Sequence, residues 1–527
     1  MKKGIAKLVI LASTCGILSI STYAQKIPSL ETYVKDLKNL NALNQGFAEM
    51  RKANFAEPNT AKYRTSLNYW ANIHGYFGYD KKSENLQEYY EELIKQCYDK
   101  AKGEPERKAC GFYQNYYASL NNQTAGNDKI AQEVWGTCEH GTEFFLPWHR
   151  LYLHYFEKTL RKASGNPNLQ LPYWKYEDNI DNNNLLFLPW LFTQNYLSAF
   201  DIKRTIGLNE NKIGIKVRGD NKTIDITGFE ALQAVDFYRD DKAGFSNLIE
   251  SNPHNLMHCA VGANCYAPNM GLVPAAGNDP IFYLHHRNID RLWQKWMLKK
   301  AKGQKIDLAW AKANLGMPAT WFEKEMKFVD ENGNLVSRKV ADAFNSEFMP
   351  DYDDLGLKSD PTLLASESNK LLMSPLGHHE NIEISNINVL GAQVSRANFK
   401  DLPVNNMLRS TGPAISYLTI QNIELVNKPM LTYAVYMVSK KDTSKRSYLT
   451  TFSFFGLNNV HAHHGKTKIG DMKLIVSDNL QEIGAQSLAD FELIFEPTDF
   501  TSNPVFTQLS KDGLKIGKIL LTSEPIS

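Results

Sequence analysis

Beyond residue 25 the chain has no apolar stretch long enough to cross a bilayer, so no membrane span is expected in its body. Net charge is nearly absent. The 59 Lys and Arg against 57 Asp and Glu leave +2, which argues against nucleic acid or a polyanion as partner. There are no internal repeats and no low-complexity tracts, so the 527 residues read as ordinary globular sequence, enough for two or three domains. Cysteine is scarce at six, so each one needs a reason for its place. Histidine is also sparse at 13, yet His140, His149 and His154 crowd one short stretch, "GTCEHGTEFFLPWHRLYLHYFE", two residues after Cys138.

The first residues read as an export signal. Lys2 and Lys3 form a charged start, Leu8 to Ile20 an apolar run too short and too interrupted for an anchor, and "TYA" an imperfect cleavage site before Gln25. No twin arginine is present, so the Sec route into a periplasmic or secreted setting is expected, with residues 1–24 removed. In that oxidising setting Cys97 with Cys110, and Cys259 with Cys265, can close two short loops; free thiols are the alternative. Cys138 is left odd.

Residues 25–325 read as mainly helical. Leu67, Trp70, Ala71 and His74 share a helical face, with Thr60 as a possible cap and Gly75 as a stop. A second helix opens at Pro147, a third at Asn252-Pro253, and a fourth at Asp279-Pro280. Residues 326–379 read as a hairpin around Asn332-Gly333 followed by a linker, "DYDDLGLKSDP". Residues 380–527 hold short β-rich runs between turn residues, the pattern of a β-sandwich.

His254 and His258 lie four apart on one helix face. Of the adjacent His285 and His286 only one can point to the same place. Asp290, one turn after His286, is expected to orient it, which favours His286 as ligand and His285 as support. His74, His140 and His149 form the second set, with His140 on a loop and His154 assigned to packing. Two imidazole triads on four helices suit a dinuclear site in a bundle core, against the plainer reading of satisfied core histidines. The Glu-x-x-His pattern of di-iron bundles is missing, and "HNLMH" has Asn255 where a zinc protease needs Glu, so all-imidazole ligation favours copper over a zinc hydrolase.

"CEHGTEFFLPWHRLYLHYFE" resembles the copper A region of the tyrosinase, catechol oxidase and molluscan haemocyanin family. "PHNLMH" followed by "NDPIFYLHHRNIDRLW" resembles its copper B region, with "LNYWANIHG" and "LPYWKYED" matching flanking segments. The resemblance spans roughly residues 40–300. It implies His74, His140 and His149 as CuA ligands and His254, His258 and His286 as CuB ligands. It also implies a thioether between Cys138 and His140, a water-holding base pair at Glu250 and Asn255, and an entrance residue at Val273. "FVDENGNLVSRKV" and "FGLNNVHAHHGKTKIGDMKLIVSDNLQEIGA", which starts at Phe455, resemble the linker and C-terminal domain of plant polyphenol oxidases, a β-sandwich that shields the copper site and keeps the enzyme latent. His461, His463 and His464 are assigned to a solvated loop. The fold implied is a mainly α catalytic domain, with a four-helix bundle around a dicopper centre, plus that sandwich. The function implied is oxidation of small phenols to o-quinones with O2. The alternatives are a catechol oxidase without monophenol hydroxylation, or an oxygen carrier.

Overall fold

The computed structural model describes residues 26–76, 126–193, 207–217, 226–262, 269–356, 382–385, 394–399, 414–425, 432–453, 467–485, 488–498 and 514–525, with single residues and pairs between 94 and 114, 204, 205 and 455. The expected signal, Cys97, Cys265 and His461, His463 and His464 lie outside the described residues. Among those described, no helix is long and apolar enough to cross a membrane.

The principal helices of the first part are α1 (Leu37–Lys52), α2 (Leu67–His74), α3 (Phe145–Ser164), α4 (Phe245–Ile249), α5 (Leu256–Val261) and α6 (Pro280–Ala301). Their ends follow local chemistry. Ser66, rather than Thr60, caps α2 by accepting the Tyr69 amide; Thr60 caps a separate turn, Ala61–Arg64. Asp279 caps α6 as expected, accepting from the Ile281 amide with Pro280 next. α3 starts two residues before Pro147, because a proline in the first turn of a helix costs no hydrogen bond. Between α4 and α5 the chain makes a wide turn, Glu250–Asn255, broken at Asn252 where the backbone is extended.

The helices close on one aromatic core. Phe156 and Tyr283 stack at 3.5 Å, Trp148 and Tyr152 at 4.9 Å, and Trp70 packs edge-on to Phe156 at 5.6 Å. Behind α3 and α6 a buried ion pair, Arg150 to Asp290 at 2.7 Å, joins the two helices, and Arg150 also lies over Trp293. The hairpin β1 (Glu325–Val329) and β2 (Leu335–Lys339) turns at Gly333, whose φ of +76° suits glycine, and lays Phe328 against Trp148 and Tyr152. The start of the expected linker is itself anchored: Tyr352 is buried and donates to Asp290 at 2.6 Å.

The C-terminal part is β. Its strands are β3 (Ile382–Ser385), β4 (Ser395–Phe399), β5 (Ala414–Leu425), β6 (Thr432–Ser439), β7 (Arg446–Phe452), β8 (Thr467–Ile475), β9 (Phe491–Thr498), β10 (Leu514–Lys515) and β11 (Lys518–Pro525). Hydrogen bonding runs along one path, β8-β5-β11-β3-β4-β9-β6-β7, with β10 beside β5. The strands expected to form a sandwich are thus hydrogen-bonded into one path, through the short β3–β4 pairing of Ile384 with Phe399 and Ser385 with Asn398. Leu418 and Ile420 of β5, Tyr433 and Val435 of β6, Phe491 and Leu493 of β9 and Ile519 and Leu521 of β11 share one buried cluster, so both halves of the path face a common core.

Candidate metal centre

Eight side chains gather in two adjoining groups, His74, Cys138, His140 and His149 in one, and His254, His258, His285 and His286 in the other. Within each group one donor atom per residue lies within 4.8 Å of the others. The groups meet face to face: the His149 and His286 rings stack at 4.2 Å, and His140 and His254 are 5.9 Å apart. α2 ends at His74, α3 presents His149 one turn in, α5 and the wide turn before it present His258 and His254, and α6 presents His285 and His286. His140 comes from the loop before α3.

Ring hydrogen bonds show which nitrogen is free. Nδ1 donates to the Val273 carbonyl from His74 (2.9 Å), to the Phe145 carbonyl from His149 (2.8 Å) and to the Met270 carbonyl from His258 (2.7 Å). Nδ1 of His254 donates to Asn255 Oδ1 at 2.9 Å. A carbonyl can only accept, so Nδ1 carries the proton and Nε2 keeps its lone pair. The Nε2 atoms of His74, His254 and His285 are buried without any partner, which is costly unless something binds them. Burial, and then the neighbouring imidazoles, hold these histidines well below their ordinary pKa; burial takes His74 to about 4 and His254 to about 3. Neutral imidazoles with unsatisfied inward nitrogens fit a metal pair, and an all-nitrogen set suits copper.

Three expectations meet a different arrangement. Asp290 does not touch His286: it is taken by Arg150 and Tyr352, and His286 Nδ1 has no partner, while its Nε2 lies 3.4 Å from His258 Nε2. Asp290 is therefore part of the ionic network behind the helices. His285 joins the second group, with its Nδ1 2.5 Å from the Tyr176 hydroxyl. Val273 is buried and its carbonyl anchors His74, so it serves a ligand rather than an opening. Cys138 Sγ lies beside both rings, 3.7 Å from His140 Nε2 and 3.5 Å from His149 Nε2, and burial pushes its thiol pKa up.

Glu250 is buried, its pKa pushed up to about 8 by desolvation, and its Oε1 accepts the Gly141 amide at 2.6 Å. Cys110 and Cys259 are disulfide-bonded, while their expected partners Cys97 and Cys265 lie outside the described residues. His154 stays out of both groups, 4.5 Å from Phe348.

Two residues were not anticipated. Tyr176 lies in the noted "LPYWKYED" stretch without an assigned role. Phe455, just past β7, leaves the β part and stacks on His258 at 3.8 Å, with His254 and His140 at 5.7 and 5.8 Å. It is buried in the helical core cluster, and among the described residues it is the one member of that cluster from beyond residue 350. The signal available was an apolar run, "FSFF", that outlasts its strand.

The family profile for the common central domain of tyrosinase matches residues 64–220 and 208–299. A tyrosinase from Hahella sp. (strain CCB-MM4) is 29% identical over 261 residues, 44% of this chain and 51% of that protein. The chloroplastic polyphenol oxidase of Vitis vinifera is 25% identical over 390 residues, 66% of this chain and 60% of that protein. The chain thus spans 51% to 60% of the length of these curated relatives. Among solved structures, latent apple tyrosinase superposes with TM-score 0.53 at 18% identity, covering 95% of this chain and 98% of that one. A functional unit of octopus haemocyanin superposes with TM-score 0.50 at 17% identity, covering 95% and 100%. At such identities the likeness shows the fold alone, a helical domain followed by a C-terminal domain.

Proposed function

From the premise that residues 64–299 carry the common central domain of tyrosinase, we propose a copper-dependent phenol oxidase, using O2 to convert monophenols and o-diphenols to o-quinones and kept latent by its C-terminal domain. The observation that carries this is the pair of adjoining, buried, neutral imidazole groups, in which the inward Nε2 atoms of His74, His254 and His285 lack partners. His74, His140 and His149 would hold one copper, and His254, His258 and His286 the other. Copper there supplies the redox couple through which O2 oxidises a phenol.

The chain's own groups do the rest. Carbonyls of Val273, Phe145 and Met270 fix three rings so that Nε2 faces inward, the orienting role that outer partners play around metals. Phe145 and Phe282, 4.7 Å from His254 and His74, keep bulk water from the rings and leave aromatic walls for an aromatic substrate. Glu250, whose raised pKa lets it exchange a proton near neutrality, is our base for a monophenol hydroxyl, with Asn255, whose Oδ1 accepts from His254 Nδ1, as the second member of the pair. Phe455 on His258 occupies the space a phenol ring would need, which supports latency. We further read residues 25–325 as the catalytic unit around a four-helix bundle and residues 380–527 as a folded-over sandwich, exported by a Sec signal, with small phenols as partners and neither nucleic acid nor, after signal cleavage, a membrane.

The test is to load the purified chain with copper and assay tyrosine and a catechol before and after limited proteolysis between residues 357 and 381. Oxidation that rises on cleavage is expected. No oxidation in either form overturns the enzyme reading. Reversible O2 binding without turnover would instead support a carrier, the reading suggested by the octopus haemocyanin superposition.

A further inference from the structure

His74, His149, His254 and His258 each have a ring N–H tied to an oxygen, but His140 has none: its Nδ1 is buried without a partner. It also sits on no helix, and Gly141 follows it in the left-handed region at φ +69°. Glycine gives this loop the most backbone freedom to lose at the very point where a ligand must be held. The two peptides after His140 are gripped instead. Gly141 N–H donates to Glu250 Oε1 at 2.6 Å, and the Gly141 carbonyl accepts from Lys242 Nζ at 3.2 Å.

Lys242 is itself built in. It sits at φ +67° in a turn closed by its amide on the Arg239 carbonyl, and its Nζ also donates to the Tyr238 hydroxyl at 3.3 Å. The preceding Asp241 binds Arg239 and the Ala243 amide. From the C-terminal domain Lys473, its side chain 9% exposed, donates to the same Asp241 at 3.0 Å. One turn thus joins the β part to the loop of a single histidine.

We propose that Lys242 is a positioning residue that fixes His140 through the Gly141 carbonyl, with Lys473 steadying its turn from the C-terminal domain. The inference rests on the copper reading above. Without the grip the His140 loop is free to move, and the copper it helps to hold is lost before the other.

The experiment compares the full-length chain with Lys242→Met, Lys242→Arg and Lys473→Met. Copper-loaded proteins are challenged with a chelator and copper release is followed. Separately, deuterium uptake of the peptide spanning residues 136–144 is measured in the copper-free proteins. Lys242→Met is expected to release one of its two coppers roughly tenfold faster, the worth of one charge-assisted hydrogen bond, and to take up deuterium faster in that peptide. Lys242→Arg is expected to restore both, and Lys473→Met to produce a smaller change in the same direction. Release of both coppers together at the wild-type rate, with unchanged exchange, overturns the inference. If even the wild type takes up no copper, the functional reading fails, and the exchange measurement alone still decides whether Lys242 holds the loop.

Discussion

Truncating Phe455 to alanine should relieve latency without any cut in the chain. The ring is 3% exposed and lies 3.8 Å from His258, so its packing is made between the two domains and exists only while they are closed. Removing a buried phenylalanine ring costs about 3–5 kcal/mol, and the low end applies because water or substrate can enter the vacated space. At about 1.4 kcal/mol per factor of ten, about 3 kcal/mol moves the closed-to-open ratio by about two orders of magnitude. The assay is initial catechol oxidation by copper-loaded, uncleaved Phe455→Ala, set against wild type before and after proteolysis. A rise in rate of up to about a hundredfold is expected, bounded above by the cleaved wild type. If the uncleaved variant is no faster than uncleaved wild type while the cleaved wild type is active, the ring is not what closes the site.

Other outcomes follow from the same geometry. His74→Ala and His258→Ala should each lower copper content from two to about one per chain, read by metal analysis, because each removes a donor from a different group. Arg150→Met strands the Asp290 carboxylate, now 3% exposed, and should cost about 3–5 kcal/mol in denaturant unfolding. Glu250 keeps its proton up to about pH 8 when folded, against 4.5 as its ordinary value, so at this one site the unfolded state binds fewer protons between those limits and Glu250's own contribution to the stability of the copper-free protein falls as pH rises through them. That contribution amounts to about 4–5 kcal/mol across the window and is read as the difference between wild type and Glu250→Gln, unfolded side by side at a series of pH values. The peptide containing Cys138 and His140 from copper-loaded protein should weigh two hydrogens less than its sequence; an unmodified mass removes the thioether.

The helical part was legible because its signals are local. Four-residue spacing put His254 and His258 on one face, and Asp279-Pro280 announced the start of α6. What failed was pairing between distant segments. Asp290 stands one turn from His286, and spacing alone offered it as a partner. Only the fold brings up Arg150 and Tyr352, which hold it more strongly as a guanidinium and a hydroxyl aimed at a carboxylate. Val273 came in through the resemblance as an entrance residue, whereas its backbone carbonyl, invisible to any side-chain pattern, is what reaches His74. The break at Thr65 that shortens α2 was hidden because Thr60 and Ser66 are both good caps. Phe455 was hidden for a different reason: an aromatic at a strand end ordinarily belongs to its own sheet, and nothing local says that it crosses to another domain.

The contacts between the β part and the helical part beside the site, Phe455 on His258 and Lys473 on Asp241, are non-covalent, and neither involves residues 357–381, where the proposed cut falls. Severing the chain there leaves both intact and only turns an intramolecular partner into a separate molecule. Opening then becomes a dissociation governed by mass action. On the latency reading, a nicked sample should wake on dilution and fall quiet again when concentrated, with oxidation after cleavage set by how crowded the two fragments are.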